Sequence, residues 1–519
     1  MAFVRTRAFL LAVLASTVLA AGCGNAGSSG SGSTAAQDAV PADALFYADV
    51  NLDRGSDAWK QFAAVGQRFP GWQHLVDQIA NGFNSGGSST TNVSLDTGPT
   101  TTFKDDIEPW LGGSAAVAVT SVDATAGTAG WLVFVASTDD SKAKAALLKD
   151  GATADGSYAG YSLYRSSNGN DEAAVGDGAV LLGADTGTLH DSIDVRDGKA
   201  DSLSSNDTFT SAMSKLPSES LVRGYVNTQK LSQLAGFAAL GSIGGSGSGG
   251  DQVQKLASSL NSLDSLTFAA WATQDGYHLS LRTTLKPGSD GSLFTGQTQP
   301  STLTPLVPDD AFAFLAFANY GDYLKQALDS GAPGMAQQLQ RFEQQTGLSV
   351  DNDLIPLLSG QELFYAAPGV PVRAALLLKP SDPQAAAATM HKIAALVVKS
   401  VPNATLQPLA SGDGEQISLS NGLAVTWRLT ANGLIAVGND QSAGDAPSSP
   451  LLSSAAYKDL LSRAGVPSGA AVPLYFNLAG LLKLLPVSTD PNLEHLGSVL
   501  AWSSHDGNDY SSDLFVQVK

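Results

Sequence analysis

One stretch near the N-terminus, Val40–Asn51 (VPADALFYADVN), constrains this chain more than any other because it occurs twice. Its counterpart is Val307–Asn319 (VPDDAFAFLAFAN), and its ending recurs at Leu221–Asn227 (LVRGYVN) and Ala471–Asn477 (AVPLYFN). In all four places an apolar, strand-like run stops at Asn and a helix-like pattern follows. After the first of them, Asn51 or Asp53 is the expected helix cap, since a short side-chain acceptor satisfies the open N–H groups of a first turn.

Further pairs of landmarks extend the parallel. Asp106–Gly113 (DIEPWLGG) and Asp353–Gly360 (DLIPLLSG) each read as a short helix, capped by Asp, entered through Pro and stopped by Gly. Strands are expected at Ala115–Thr120 and Trp131–Ala136, echoed by Glu362–Ala366 and Val372–Leu378. Asp140 opens a helix through Lys149, and Asp382 opens its twin through Lys399. Hairpin turns fall at Asp177-Gly178 and Asn432-Gly433, then at Asp275-Gly276 and Asp506-Gly507, with Trp271 and Trp502 just before the last two. The landmarks keep their order, and their spacing changes only where one half carries extra Gly/Ser/Pro-rich sequence. Insertions of that kind belong in surface loops. The expected fold is α+β: two tandem diverged copies of one antiparallel or mixed-sheet-plus-helices unit. The expected boundaries are 40–285 for the first copy, a linker at 286–305 and 306–519 for the second. Periodicity does not decide whether the copies form separate domains or share a sheet.

Bulk composition agrees with two cores. The chain has 519 residues, 43% of them hydrophobic, and chains of this length usually divide. Lys and Arg number 29 against 48 Asp and Glu, for a net charge of −19, and no basic cluster is present to track a phosphate backbone. Nucleic acid is therefore not an expected partner. Charged residues make up only 15% and Gly reaches 54, a balance that suits a secreted, loop-rich protein.

A single cysteine, Cys23, rules out an intrachain disulfide framework and a thiolate cluster. Arg5 and Arg7 precede an apolar run, Ala8–Ala20, too short to span a bilayer comfortably but the right length for a signal segment. Ala20-Ala21-Gly22 then leads into Cys23, which resembles a bacterial lipobox, with Ala20 standing where Leu is commonest. Residues 1–22 are thus the expected signal peptide, Cys23 the lipidated residue and 23–39 a flexible Gly/Ser-rich tether. The expected location is extracytoplasmic, anchored to the cell membrane through Cys23.

Apparent catalytic signatures weaken when the two copies are compared. Ser141–Lys144 matches the S-x-x-K of penicillin-recognising enzymes, but Ser141 aligns with Pro383 and reads as a helix start. No nucleophile elbow, H-E-x-x-H or phosphate loop is present. His74, His190, His278, His391, His495 and His505 are scattered and read as surface residues, and His190-Asp191 alone makes no triad. Asn168–Glu172 and Asp506–Asp509 lack the ligand alternation of a calcium loop and read as turns. Gly241–Gly250 reads as a linker. The apolar stripes Ala311–Phe317 and Leu474–Leu485, like the Trp pair, read as core. No catalytic, cofactor-binding or metal-binding residue is expected.

Taken together, the lipobox, the tether, the VPxDA strand, the Pro-containing short helix and the paired Trp hairpins resemble the bacterial lipoproteins and secreted proteins of domain-of-unknown-function family 3352. The resemblance runs from Val40 to Lys519. It implies an envelope location and a duplicated architecture, and it brings no catalytic residues. The leading functional expectation is a non-enzymatic binding or scaffold module of the cell envelope. Its partners would be the membrane, through the lipid, and an envelope protein or apolar ligand. Two alternatives are a carrier of a lipid or other apolar ligand between the halves, and a hydrolase with dispersed catalytic residues.

Overall fold

The computed structural model describes residues 35–72, 103–123, 128–166, 172–232, 260–289, 298–329, 335–482 and 490–519. The chain divides into two units: residues 1–241, 256–291 and 518–519 form one, and residues 242–255 and 292–517 the other.

In the first unit the strands are β1 (Phe46–Asn51), β2 (Leu111–Asp123), β3 (Thr128–Ser137), β4 (Thr153–Tyr158), β5 (Tyr161–Arg165), β6 (Glu172–Gly176), β7 (Ala179–Gly183), β8 (Val222–Val226), β9 (Leu263–Thr273) and β10 (Gly276–Leu285). Every neighbour pair is antiparallel, in the spatial order β4-β5-β6-β7-β3-β2-β1-β8-β9-β10. The helices are α1 (Asp57–Gly66), α2 (Asp140–Lys149), α3 (Thr186–Arg196) and α4 (Asp207–Ser214). Strand side chains alternate between faces, so each face needs its own cover. One face packs Tyr47, Phe134, Leu181 and Tyr225 against Leu189 and Ile193 of α3 and Phe209 of α4. The other packs Val50, Ala115, Val117 and Val135 against Trp59, Phe62 and Val65 of α1.

In the second unit the strands are β11 (Ala313–Ala318), β12 (Gln361–Ala367), β13 (Arg373–Lys379), β14 (Thr405–Pro408), β15 (Gly414–Ser418), β16 (Ala424–Leu429), β17 (Ile435–Gly438), β18 (Ala471–Asn477), β19 (Leu496–Asp506) and β20 (Asp509–Val518). Their order is β14-β15-β16-β17-β13-β12-β11-β18-β19-β20, antiparallel from β14 to β19. The helices are α5 (Tyr320–Asp329), α6 (Met335–Thr346), α7 (Pro383–Ser400) and α8 (Ala455–Ala464). Phe314, Leu363, Tyr365, Leu377 and Tyr475 pack against Tyr457 and Leu460 of α8. On the opposite face Leu378, Trp427 and Ile435 pack against Met390 and Ala394 of α7.

The Asn-terminated junctions are local devices. Asn51 closes β1, and its side-chain oxygen accepts the N–H of Asp53 at 2.9 Å. Asn227 and Asn477 accept from Lys230 at 3.1 Å and Gly480 at 2.9 Å, satisfying open donors of the turns that follow β8 and β18. Asn319 instead takes a left-handed conformation, φ 56°, which Asn tolerates better than most residues. Neither Asn51 nor Asp53 caps α1; Ser56 does, accepting from Trp59, because the chain takes one more turn before the helix begins.

Other local expectations shift by a residue or a turn. The cap of α2 is Asp139, whose carboxylate accepts from Ser141 and Lys142, while Asp382 caps α7 in the same way. Asp140 is therefore the first helical residue, and Pro383 is its counterpart. The expected Pro-containing helix at Asp106–Gly113 does not form: one turn of π-helix, Phe103–Ile107, precedes Pro109, which lies in a turn before β2, whereas in the second unit the π-turn Val350–Leu354 is followed by a short α-helix, Ile355–Leu357, that holds Pro356. Asp177 (φ 50°) and Gly178 (φ 69°) are both left-handed, as a tight hairpin requires, whereas at the β16–β17 turn only Gly433 (φ 74°) is.

Candidate functional site

Cys23, His74, Gly241–Gly250 and most of Asn168–Glu172 lie outside the described residues, although Glu172 itself opens β6. Ser141 is exposed on the first turn of α2, where its N–H is spent on the Asp139 cap. Asp506 and Asp509 end β19 and begin β20 around the turn, with Gly507 left-handed. Among the described residues no group of three or more His, Cys, Asp or Glu could hold a metal ion.

The histidines correct one expectation: they are not all surface residues. His278 is buried on β10, stacked on Trp271 with ring centres 4.9 Å apart, and its Nε2 lies 3.2 Å from the Thr273 hydroxyl. Burial pulls its pKa down to about 4. His190 stacks on Tyr158 at 3.7 Å, and the Tyr158 hydroxyl donates to Asp194. His391 is exposed and pairs with Glu415 at 2.8 Å; the other oxygen of that carboxylate accepts from Trp427. Each pairing orients a ring without assembling a nucleophile, a base and an orienting acid, so the hydrolase reading gains no support from them. Trp271 and Trp502 also part company. β8–β9 pairs Tyr225 with Thr267 and β18–β19 pairs Tyr475 with Leu500, so the two tryptophans stand two residues out of step. Trp502 is core, whereas Trp271 is only partly buried.

A polar cluster occupies one side of the second unit. Tyr365 donates to Asp440 at 3.0 Å, and Arg373 bridges Asp440 and Asp310. Burial raises the pKa of Asp440, but bonds from Ser442, Tyr365 and Arg373 outweigh it and leave the carboxyl below its usual range. Beside it lies a pocket of about 250 Å³, lined by Leu409, Gln416, Thr426, Arg428, Asp440 and Gln441 among others. The Arg428 guanidinium there is already committed to Asp445 and to the carbonyl of Ala443. The mixed polar lining does not suit an acyl chain.

The opposite face of the same sheet is different. The penultimate pair of the β11–β12 ladder is Phe317 with Glu362; in the β1–β2 ladder that place is held by Val50 with Ala115. Val50 and Ala115 are both buried against α1, whereas Phe317 is 41% and Phe364 40% exposed. Tyr320, at the start of α5, is also exposed, and its ring lies 6.4 Å from that of Phe317. Between these aromatics Glu362 is only 4% exposed, and neither carboxylate oxygen has a hydrogen-bond partner of normal geometry. Desolvation pushes its pKa up to about 7, an effect that the nearby backbone N–H groups of Gly360 and Tyr320 only partly oppose. An apolar surface with a buried, poorly compensated carboxyl at its edge is the least structurally explained feature among the described residues. Sequence alone does not reveal it, because Glu362 reads as the first position of the strand Glu362–Ala366. The available signal is an acid at Glu362 where the corresponding ladder of the first unit has Ala115.

The architecture is that of an α+β protein whose helices pack on large antiparallel sheets. The chain belongs to the family described as "Protein of unknown function (DUF3352)", whose family model matches residues 6–467. No curated protein matches. Among solved structures, crystal form III of TP0453 is 8% identical, covering 50% of this chain and 82% of that one with a TM-score of 0.27. Crystal form I of TP0453 is 10% identical, covering 50% and 81%, with a TM-score of 0.26. Scores this low carry no argument about fold or function.

Proposed function

We propose that this chain is a non-enzymatic envelope lipoprotein, held outside the membrane by a lipid on Cys23, in which one copy of a duplicated fold is closed and the other presents a binding surface. The carrying observation is the difference between the two sheet faces: Val50, Ala115 and Val117 lie under α1, while Phe317 and Phe364 remain open to solvent.

Duplication is supported by matching detail in each unit. The strand order is the same once β1–β10 are set against β11–β20. Tyr47 lies between Ala118 and Tyr225, and Phe314 between Tyr365 and Tyr475. Pro41 bridges to Ser202, and Pro308 to Pro450. Lys149 of α2 reaches Asp106 of the π-turn at 2.7 Å, as Lys392 of α7 reaches Asp353 at 2.6 Å. On this reading 40–285 and 306–519 are the two copies, joined by 286–305.

The anchor rests on the sequence before residue 35: a basic start, a short apolar run, Cys23 and a Gly/Ser tether. Among the described residues no helix is long and apolar enough to cross a membrane. Mass spectrometry of the N-terminal peptide from membrane-extracted protein tests it directly. A mature chain starting at a diacylglyceryl-modified Cys23 is expected, and an unmodified or uncleaved N-terminus would overturn the anchor. The binding surface is tested separately with an environment-sensitive apolar dye. Phe317→Ser with Phe364→Ser should abolish dye fluorescence, and unchanged fluorescence would refute an open apolar face.

A further inference from the structure

We propose that the tip of the β12–β13 hairpin, with the apolar face behind it, docks the second unit onto a lipid bilayer by shallow apolar insertion. The tip, Pro368–Val372 (PGVPV), contains no charged residue, and Val370 is fully exposed. Exposed apolar residues scattered singly are ordinary; a contiguous set is not. Here Val372 and Phe364 are also exposed. Strand alternation from the Phe364–Leu376 and Ala366–Ala374 pairs puts both on the face that carries Phe317.

The tip is braced. Arg373 donates to the carbonyl of Pro368 at 3.0 Å, and Asn439 donates to that of Val372 at 2.7 Å. Arg373, which follows the tip in sequence, is paired with Asp310 and Asp440. A braced loop with no charged residue of its own enters a low-dielectric phase without carrying an ion into it.

The choice of a bilayer over another occupant rests on the envelope-lipoprotein reading. Only residues 24–34 separate the lipidated Cys23 from the first described residue, a reach of at most about 40 Å. The first unit, which begins at the end of so short a tether, is held near the membrane surface, and the second unit follows it in the same chain. With a net charge of −19 the protein is repelled by anionic headgroups, so contact must come from apolar insertion.

The test uses the mature chain produced from residue 24 onwards, which carries neither signal segment nor lipid and no cysteine. Val370→Cys then gives a unique site for an environment-sensitive fluorophore, with Leu148→Cys, exposed on α2, as the control. With phosphatidylcholine vesicles the label at 370 should shift to the blue and the label at 148 should not. Val370→Asp should lower vesicle partitioning roughly tenfold, with its melting curve unchanged because the side chain touches little. Salt should leave binding intact, and phosphatidylglycerol should weaken it. An unshifted label at 370, equal shifts at both sites or unaltered partitioning of Val370→Asp would overturn the proposal. So would tighter binding to anionic vesicles that salt abolishes, or a dimer in light scattering that Val370→Asp disperses. Because this chain lacks Cys23, a negative result leaves the lipid anchor to be judged by its own mass measurement.

Discussion

Glu362 and His278 are both buried titratable groups, and burial moves them in opposite directions on the pH scale. Desolvation favours the neutral form of each, so the carboxyl rises from its ordinary 4.5 to about 7 and the imidazole falls from 6.5 to about 4. Between pH 4.5 and 7 the folded state holds a proton on Glu362 that the unfolded chain has released. Stability from this group therefore falls as pH rises through that window, by on the order of 3 kcal/mol in all. Glu362→Gln mimics the neutral acid; it should raise the melting temperature at pH 8 and flatten the profile from 4.5 to 7. An unchanged profile would refute the assignment. For His278 the unfolded chain holds the extra proton between pH 4 and 6.5, so stability is lost as pH falls through that range. His278→Phe keeps the stacked plane on Trp271, and thermal melts of it should lose this acid slope. If the slope survives, His278 is not its source.

Elements in this fold depend on a few backbone-level choices. Asp382 caps α7 by accepting from Gln384 and Ala385, both at 3.0 Å. Asp382→Ala should cost about 1 kcal/mol in denaturant unfolding, and no loss would mean that Pro383 alone sets the helix start. On the β8–β9 ladder Gly224 sits opposite Phe268, whose ring lies where a Cβ at 224 would be. Phe268 in turn stacks on Phe46, with centroids 6.3 Å apart. Gly224→Ala must push that ring off its rotamer and should destabilise the unit by about 1–3 kcal/mol; a neutral result in chemical denaturation would show that the ring has room to move. These two features differ in legibility. The cap could be read as Asp-Pro before an apolar periodic run. The Gly224–Phe268 contact could not, because nothing local reveals which residue lies across the ladder.

At the scale of the whole molecule, Phe134 and Leu377 lie at matching places, each on the third strand of its unit and each fully buried. Phe134→Ala and Leu377→Ala should each cost about 3 kcal/mol. Hydrogen exchange should report the loss in the peptides of the altered unit, and an equal loss in both units would mean that the cores unfold as one. The amino-acid sequence by itself determined the repeated strand–Asn–helix joins, the hairpin turns, the α+β class and the order of elements. Those features arise from period, turn chemistry and capping, which act over a few residues. It also carried the family, through the same short signals. Only the tertiary structure decided that the ladders are antiparallel throughout the described pairs, that Ser56 and Asp139 rather than their neighbours cap α1 and α2, and that His278 is buried. It alone set the open face of Phe317 and Phe364 around Glu362 apart from the covered one of Val50 and Ala115. Whether a strand face is covered depends on residues brought from far along the chain, and no local pattern records that.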